Sequence, residues 1–124
     1  MTSSTTAPRP LLILQRTPYG GSLARSALDV ALSYAVFNQR PQILFSGAGV
    51  LQLGEGQSPA GLGLKSLRKV IDSFPLYDIE EILVDRESLQ QYGLAAAALP
   101  DFARLIDRSQ TRVIVQTAMP VLSF

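Results

Sequence analysis

The chain contains neither cysteine nor histidine. Without cysteine there is no disulfide, thiolate nucleophile, persulfide carrier or thiolate metal site. Without histidine the usual neutral-pH proton-transfer group and the commonest metal ligand are missing. Few groups remain for self-contained catalysis, and neither a metal nor a cofactor is expected. Charge is also scarce: Asp, Glu, Lys and Arg make up 17% of residues, against about 25% in an ordinary domain. Eleven basic and ten acidic residues leave a net charge of +1, so no global field gathers nucleic acid or anionic lipid. Long apolar runs are lacking too. The run Leu11 to Leu14 falls far short of a signal sequence or of the ~20 residues of a spanning helix, so the chain reads as soluble and cytosolic.

What is present is apolar. Hydrophobic residues form 47% of 124 positions, enough to build one core and too few residues for two. With so few charges, part of that apolar surplus must enlarge the interior or face a partner, and a partner is the favoured reading.

Residues 1–9 are rich in Ser and Thr, lack apolar periodicity and are expected to form a flexible leader. The fold then starts at Pro10. Leu11 to Leu14 reads as a strand buried on both faces, and Pro18-Tyr19-Gly20-Gly21 breaks it. Ser22 can cap a helix over Leu23 to Phe37 whose polar residues, Arg25, Ser26, Asp29 and Ser33, form one narrow stripe. A helix apolar on most sides is buried on most sides, either at the centre of its own domain or against another subunit; the second reading is preferred in so short a chain.

Ile43 to Phe45 reads as the second strand, followed by a glycine-rich loop over Ser46 to Gly61. Leu64, Leu67, Val70, Ile71 and Phe74 place one apolar face on a helix over Leu62 to Phe74. Lys65, Arg68 and Lys69 lie on its other, solvated side. Ile79, Ile82, Leu83 and Val84 suggest strand three, with Asp85 capping a short helix over Arg86 to Tyr92 that stops at Gly93. The last thirty residues admit two readings. β-branched Val113, Ile114 and Val115 favour a strand over Arg112 to Gln116. Alternatively Phe102 to Ile106 is strand four, Ser109 caps a helix ended by Pro120, and Val121 to Phe124 is the last strand. Alternating strands and helices imply parallel strands joined by right-handed crossovers, hence a three-layer α/β domain.

Two local patterns invite function and fail on spacing. Gly47-Ala48-Gly49 follows a strand, but Gln52 stands where a dinucleotide fingerprint needs its third glycine. In Gly61-Leu62-Gly63-Leu64-Lys65-Ser66 a leucine separates glycine from lysine, so no phosphate loop forms. Gly20, Gly21 and Ser22 could present backbone N–H groups to a small anion, though turn geometry also explains them. Asp78, Glu80 and Glu81 could divide acid and base roles, but beside a loop they are more simply solvated.

Pro18-Tyr19-Gly20 leading into a small-residue helix, Gly49-Val50-Leu51-Gln52-Leu53, Leu76-Tyr77-Asp78-Ile79-Glu80, Ser88-Leu89 with Gly93-Leu94, and the ending Val121-Leu122-Ser123-Phe124 come in a characteristic order. Through them the chain, over residues 10–124, resembles the TusC/DsrF branch of the DsrE/DsrF/DsrH sulfur-relay family. The resemblance implies a flavodoxin-like parallel sheet of about five strands and favours the helix over Ser109 to Met119. It also implies TusD/DsrE-like and TusB/DsrH-like sister subunits, in a dimer of heterotrimers. In the TusBCD version, persulfide sulfur passes from TusA-like to TusE-like carriers for 2-thiouridine at the tRNA wobble position. The DsrE/TusD-like sister carries sulfur on a cysteine at the end of the strand leading into the third helix, the place that Asp85 holds here. A carboxylate cannot form a persulfide, so no catalytic residue carries over. The expected role is then structural, without direct contact to nucleic acid or membrane. Leu51, Leu53, Leu76 and Tyr77 are the interface candidates, being apolar residues in segments exposed in a monomer. The competing reading is a stand-alone module that binds a small anion or nucleotide at the Gly20-Gly21 turn.

Overall fold

The computed structural model describes residues 8–17, 22–54 and 67–124. Five short parallel strands form one sheet: β1 (Leu11–Leu14), β2 (Gln42–Phe45), β3 (Ile82–Asp85), β4 (Ala103–Ile106) and β5 (Val121–Ser123), in the order β4-β3-β2-β1-β5. Leu12 pairs with Ile43 on one side and Leu122 on the other, so β1 is an interior strand. That position explains an unbroken apolar sequence: both faces of β1 meet protein.

Among the described residues four helices join these strands: α1 (Leu23–Val36), α2 (Leu67–Asp72), α3 (Arg86–Gln91) and α4 (Arg108–Thr117). The crossovers from β1 to β4 all step the same way along the sheet, so right-handedness puts α1, α2 and α3 on one face. The return from β4 to β5 carries α4 across the other. Side chains follow this division with a period of two. Leu12, Leu14, Ile43, Phe45, Ile82 and Val84 pack with Ala27, Leu28, Ile71 and Leu89 of the three helices. Leu11, Leu44, Leu83 and Ile106 point the other way, against Ile114 and Ala118. The result is the three-layer α/β architecture with a five-stranded parallel sheet.

α4 settles the two readings of the C-terminal stretch in favour of a helix. β propensity is outweighed because a strand there could not return across the sheet and cover Leu11, Leu44, Leu83 and Ile106. The cap is Asp107 and not Ser109. The Asp107 carboxylate accepts from the Gln110 N–H at 2.9 Å, and the Gln110 side-chain oxygen accepts from the Asp107 N–H at 2.9 Å. This reciprocal box satisfies two donors, where a serine cap satisfies one.

Other boundaries move by smaller amounts. The segment after β2 is no open loop at its start: Gly47–Leu53 winds into a 3-10 helix. The second helix is described only from Leu67, since residues 55–66 lie outside the described ones, and Phe74–Tyr77 continue as a 3-10 turn. Arg68 departs from its expected solvated face. Its side chain is only 11% exposed and donates to the carbonyls of Leu53 (2.6 Å) and Ala98 (2.8 Å) and to Asp72 (2.8 Å). A guanidinium offers five donors in a planar fork, so one arginine can tie α2 to two neighbouring turns.

Candidate functional site

The carboxyl ends of β1, β2 and β3 converge on the turns that would hold any chemistry of a parallel sheet. After β2, Ser46 donates its N–H to the Leu14 carbonyl at 3.0 Å. Gly49 then passes so close to the end of β1 that an added Cβ would stand 1.9 Å from the same carbonyl oxygen. Gln52, fully buried, donates from its amide nitrogen to the Arg16 carbonyl at 2.9 Å, while its amide oxygen has no partner among the described residues. The 3-10 segment is thereby pinned to the turn after β1.

Asp85 ends β3 and caps α3, as its sequence position predicts. Its carboxylate accepts from the Ser88 N–H at 3.1 Å and from the Ser88 hydroxyl at 2.5 Å. The Ser88 oxygen in turn accepts from the Gly47 N–H at 2.8 Å. The chain from Asp85 through Ser88 to Gly47 therefore links the ends of β3 and β2. Chemically it is a carboxylate and a hydroxyl, both committed to backbone, with no imidazole to activate the serine. Nothing there can carry sulfur as a persulfide. Ser88 and Gly47 escaped sequence reasoning as members of this linkage; the signal was the Asp-x-x-Ser spacing at a helix start. No group of three or more acidic residues able to hold a metal occurs among the described residues.

Gly20 and Gly21, the candidate anion turn, lie outside the described residues. Ser22 occupies the N-cap position of α1, but its side chain makes no capping bond. Of the interface candidates, Leu76 is 84% and Tyr77 44% exposed, Leu51 is half-buried, and Leu53 is fully buried. Leu53 therefore packs beneath its own segment and offers no surface. The outer side of α1 is the larger apolar exposure: the helix buries Ala24, Ala27, Leu28 and Ala31 but leaves Leu23 and Val36 exposed, with Phe37 just beyond at 75%. α1 is thus not enclosed within its own domain. Val30, Ser33, Tyr34, Phe37 and Gln39 line a shallow, uncharged hollow of about 360 Å³ on that side.

This arrangement has known counterparts. Residues 10–124 match the family model described as DsrE/DsrF-like. The chain belongs to that family. A TusC homolog of Vibrio parahaemolyticus is 35% identical over 112 residues, spanning 90% of this chain and 95% of that protein. A TusC homolog of Pseudomonas aeruginosa is 33% identical, over 86% of this chain and 89% of its own. The intracellular sulfur oxidation protein DsrF of Allochromatium vinosum is 37% identical over 89 residues, covering 72% of this chain and 65% of that protein. Among solved structures, the ychN protein of E. coli superposes with a TM-score of 0.81 over 95% of this chain and all of its own, at 14% identity. That likeness shows that the two chains share this α/β fold. No helix among the described residues is long and apolar enough to cross a membrane.

Proposed function

We propose that this DsrE/DsrF-like chain is a non-catalytic subunit of a cytoplasmic sulfur-relay complex of the TusBCD kind. It would hold and shape TusD/DsrE-like and TusB/DsrH-like sisters in a dimer of heterotrimers. Persulfide sulfur would pass through the assembly from a TusA-like to a TusE-like carrier for 2-thiouridine at the tRNA wobble position. The observation that carries this reading is the pairing of TusC- and DsrF-named relatives with a sequence that has no cysteine. Asp85, at the place where the resemblance puts a sister's carrier thiol, spends its carboxylate on Ser88. The apolar rim of α1, Leu76 and Tyr77 offers surface for those sisters.

Affinity purification of the chain from cells co-expressing the neighbouring genes, followed by native mass spectrometry, tests the assembly. A mixed complex with two sister subunits is expected; a lone monomer refutes it. Deleting the gene and assaying wobble 2-thiouridine then tests the pathway, since intact thiolation would refute the tRNA branch alone.

A further inference from the structure

The amino ends of β1, β2 and β3, remote from Asp85, surround a cavity of about 270 Å³. Arg9 and Arg40 contribute from the segments entering β1 and β2. Asp78, Glu80 and Glu81 contribute from the segment entering β3, with Gln42 of the sheet between them. The basic side is fixed in place: the Arg9 Nε donates to the Arg40 carbonyl at 2.8 Å, and the Arg9 carbonyl accepts from the Met119 N–H at 3.0 Å.

Unlike charges facing each other across a gap ordinarily close into ion pairs. Here Glu81 turns to Arg104 at 3.1 Å. Among the described residues no ion pair within 4.0 Å joins Arg9 or Arg40 to Asp78, Glu80 or Glu81. Burial, and then the neighbouring Arg40, lowers the Arg9 pKa from its ordinary value, while Glu81 opposes the shift. Arg9 is therefore a partly desolvated cation beside a like charge, a state that a carboxylate bound in the cavity would relieve. A simple anion would also meet Asp78 and Glu80, and a simple cation would meet the arginines. A molecule with separated charges of both signs suits both sides, and the volume lies below the range of drug-sized pockets.

We propose that this cavity binds a small zwitterion of the α-amino-acid class, its carboxylate on Arg9 and Arg40 and its ammonium on Asp78 and Glu80. The site is independent of the sulfur-relay reading and stands or falls without it.

The test is an amide NMR titration of the full chain with glycine, acetate and methylammonium as separate probes. Glycine is expected to shift the amides of Arg40, Gln42 and residues 78–83 saturably, with a Kd of about 1 mM or below, and each half-ligand to bind at least about tenfold more weakly. Arg40→Asn, chosen because asparagine tolerates the left-handed backbone of that position (φ 53°), should weaken glycine about tenfold. Glu80→Gln, at an exposed site, should do the same and serves if the first variant misfolds. Acetate binding as tightly as glycine would reduce the cavity to an anion site and overturn the proposal. So would an unsaturable glycine response, or glycine affinity unchanged in a folded variant.

Discussion

Gly49 shows what one missing carbon fixes. A Cβ there would lie 1.9 Å from the Leu14 carbonyl oxygen and 2.6 Å from its carbon, both backbone atoms of the interior strand β1. Neither can move without breaking the sheet, so Gly49→Ala should cost about 3 kcal/mol or more in urea unfolding. Gly47 makes the natural contrast. Its φ of 54° penalises a side chain, yet nothing stands within 4 Å of an added Cβ, so Gly47→Ala should cost only about 1 to 2 kcal/mol. Equal losses for the two variants would contradict the close approach. Ser88→Ala removes both the acceptor of the Gly47 N–H and a donor to Asp85. A loss of about 1 to 3 kcal/mol is expected for those part-buried groups, read in the same unfolding assay. An unfolding free energy unchanged by Ser88→Ala would contradict the linkage.

Elements differ in how much of themselves they announce. β1 is legible residue for residue, because a four-residue apolar run between a proline and a turn has few other uses. α4 is not, since its β-branched residues argue locally for a strand and only the crossover across Leu44 and Leu83 makes it helical. Arg68 misleads for a related reason. Its spacing puts it on the outer side of α2, but its acceptors at Leu53 and Ala98 are supplied by turns distant in sequence. The amino-edge cavity was illegible because strand order alone brings residues 9, 40 and 78 together.

The same helix α4 carries a pH prediction. The Gln110 N–H, then the Ser109 hydroxyl, hold the Asp107 carboxyl below its ordinary value of 3.8. A depressed acid stabilises the folded form above the unfolded pKa, and that contribution is lost as pH falls through the lower folded value. Acidification below the ordinary carboxylate range should therefore fray the first turn of α4. The Cα chemical shifts of residues 108–111 should drift toward coil there, and Asp107→Asn, which keeps an acceptor, should flatten the drift. An α4 start that strengthens on acidification would contradict the assigned cap.

At the scale of the whole molecule, the question is what a domain with a complete core does with apolar residues left outside it. α1 has already filled its inward face with Ala24, Ala27, Leu28 and Ala31, so Val36 at 69% and Phe37 at 75% exposure contribute little to the isolated fold. Leu76, at 84%, lies in the 3-10 turn that packs beside α1. Burying such side chains is favourable only when something else supplies the cover. An aspartate at Phe37 or Leu76 should therefore change the unfolding free energy of the lone chain by less than about 0.5 kcal/mol. If this rim is a contact of the proposed assembly, the same substitution places a charge in a desolvated interface, and a loss of about 2 kcal/mol, roughly thirtyfold in affinity for the proposed sisters, is expected. Arg25→Ala on the polar stripe of the same helix is the control, because its exposed pair with Asp29 contributes little to either state. The split between an unmoved monomer and a weakened complex distinguishes a contact surface from a merely greasy one. If Phe37→Asp and Leu76→Asp both leave complex yield and affinity at the level of Arg25→Ala, the exposed rim has no part in the proposed assembly.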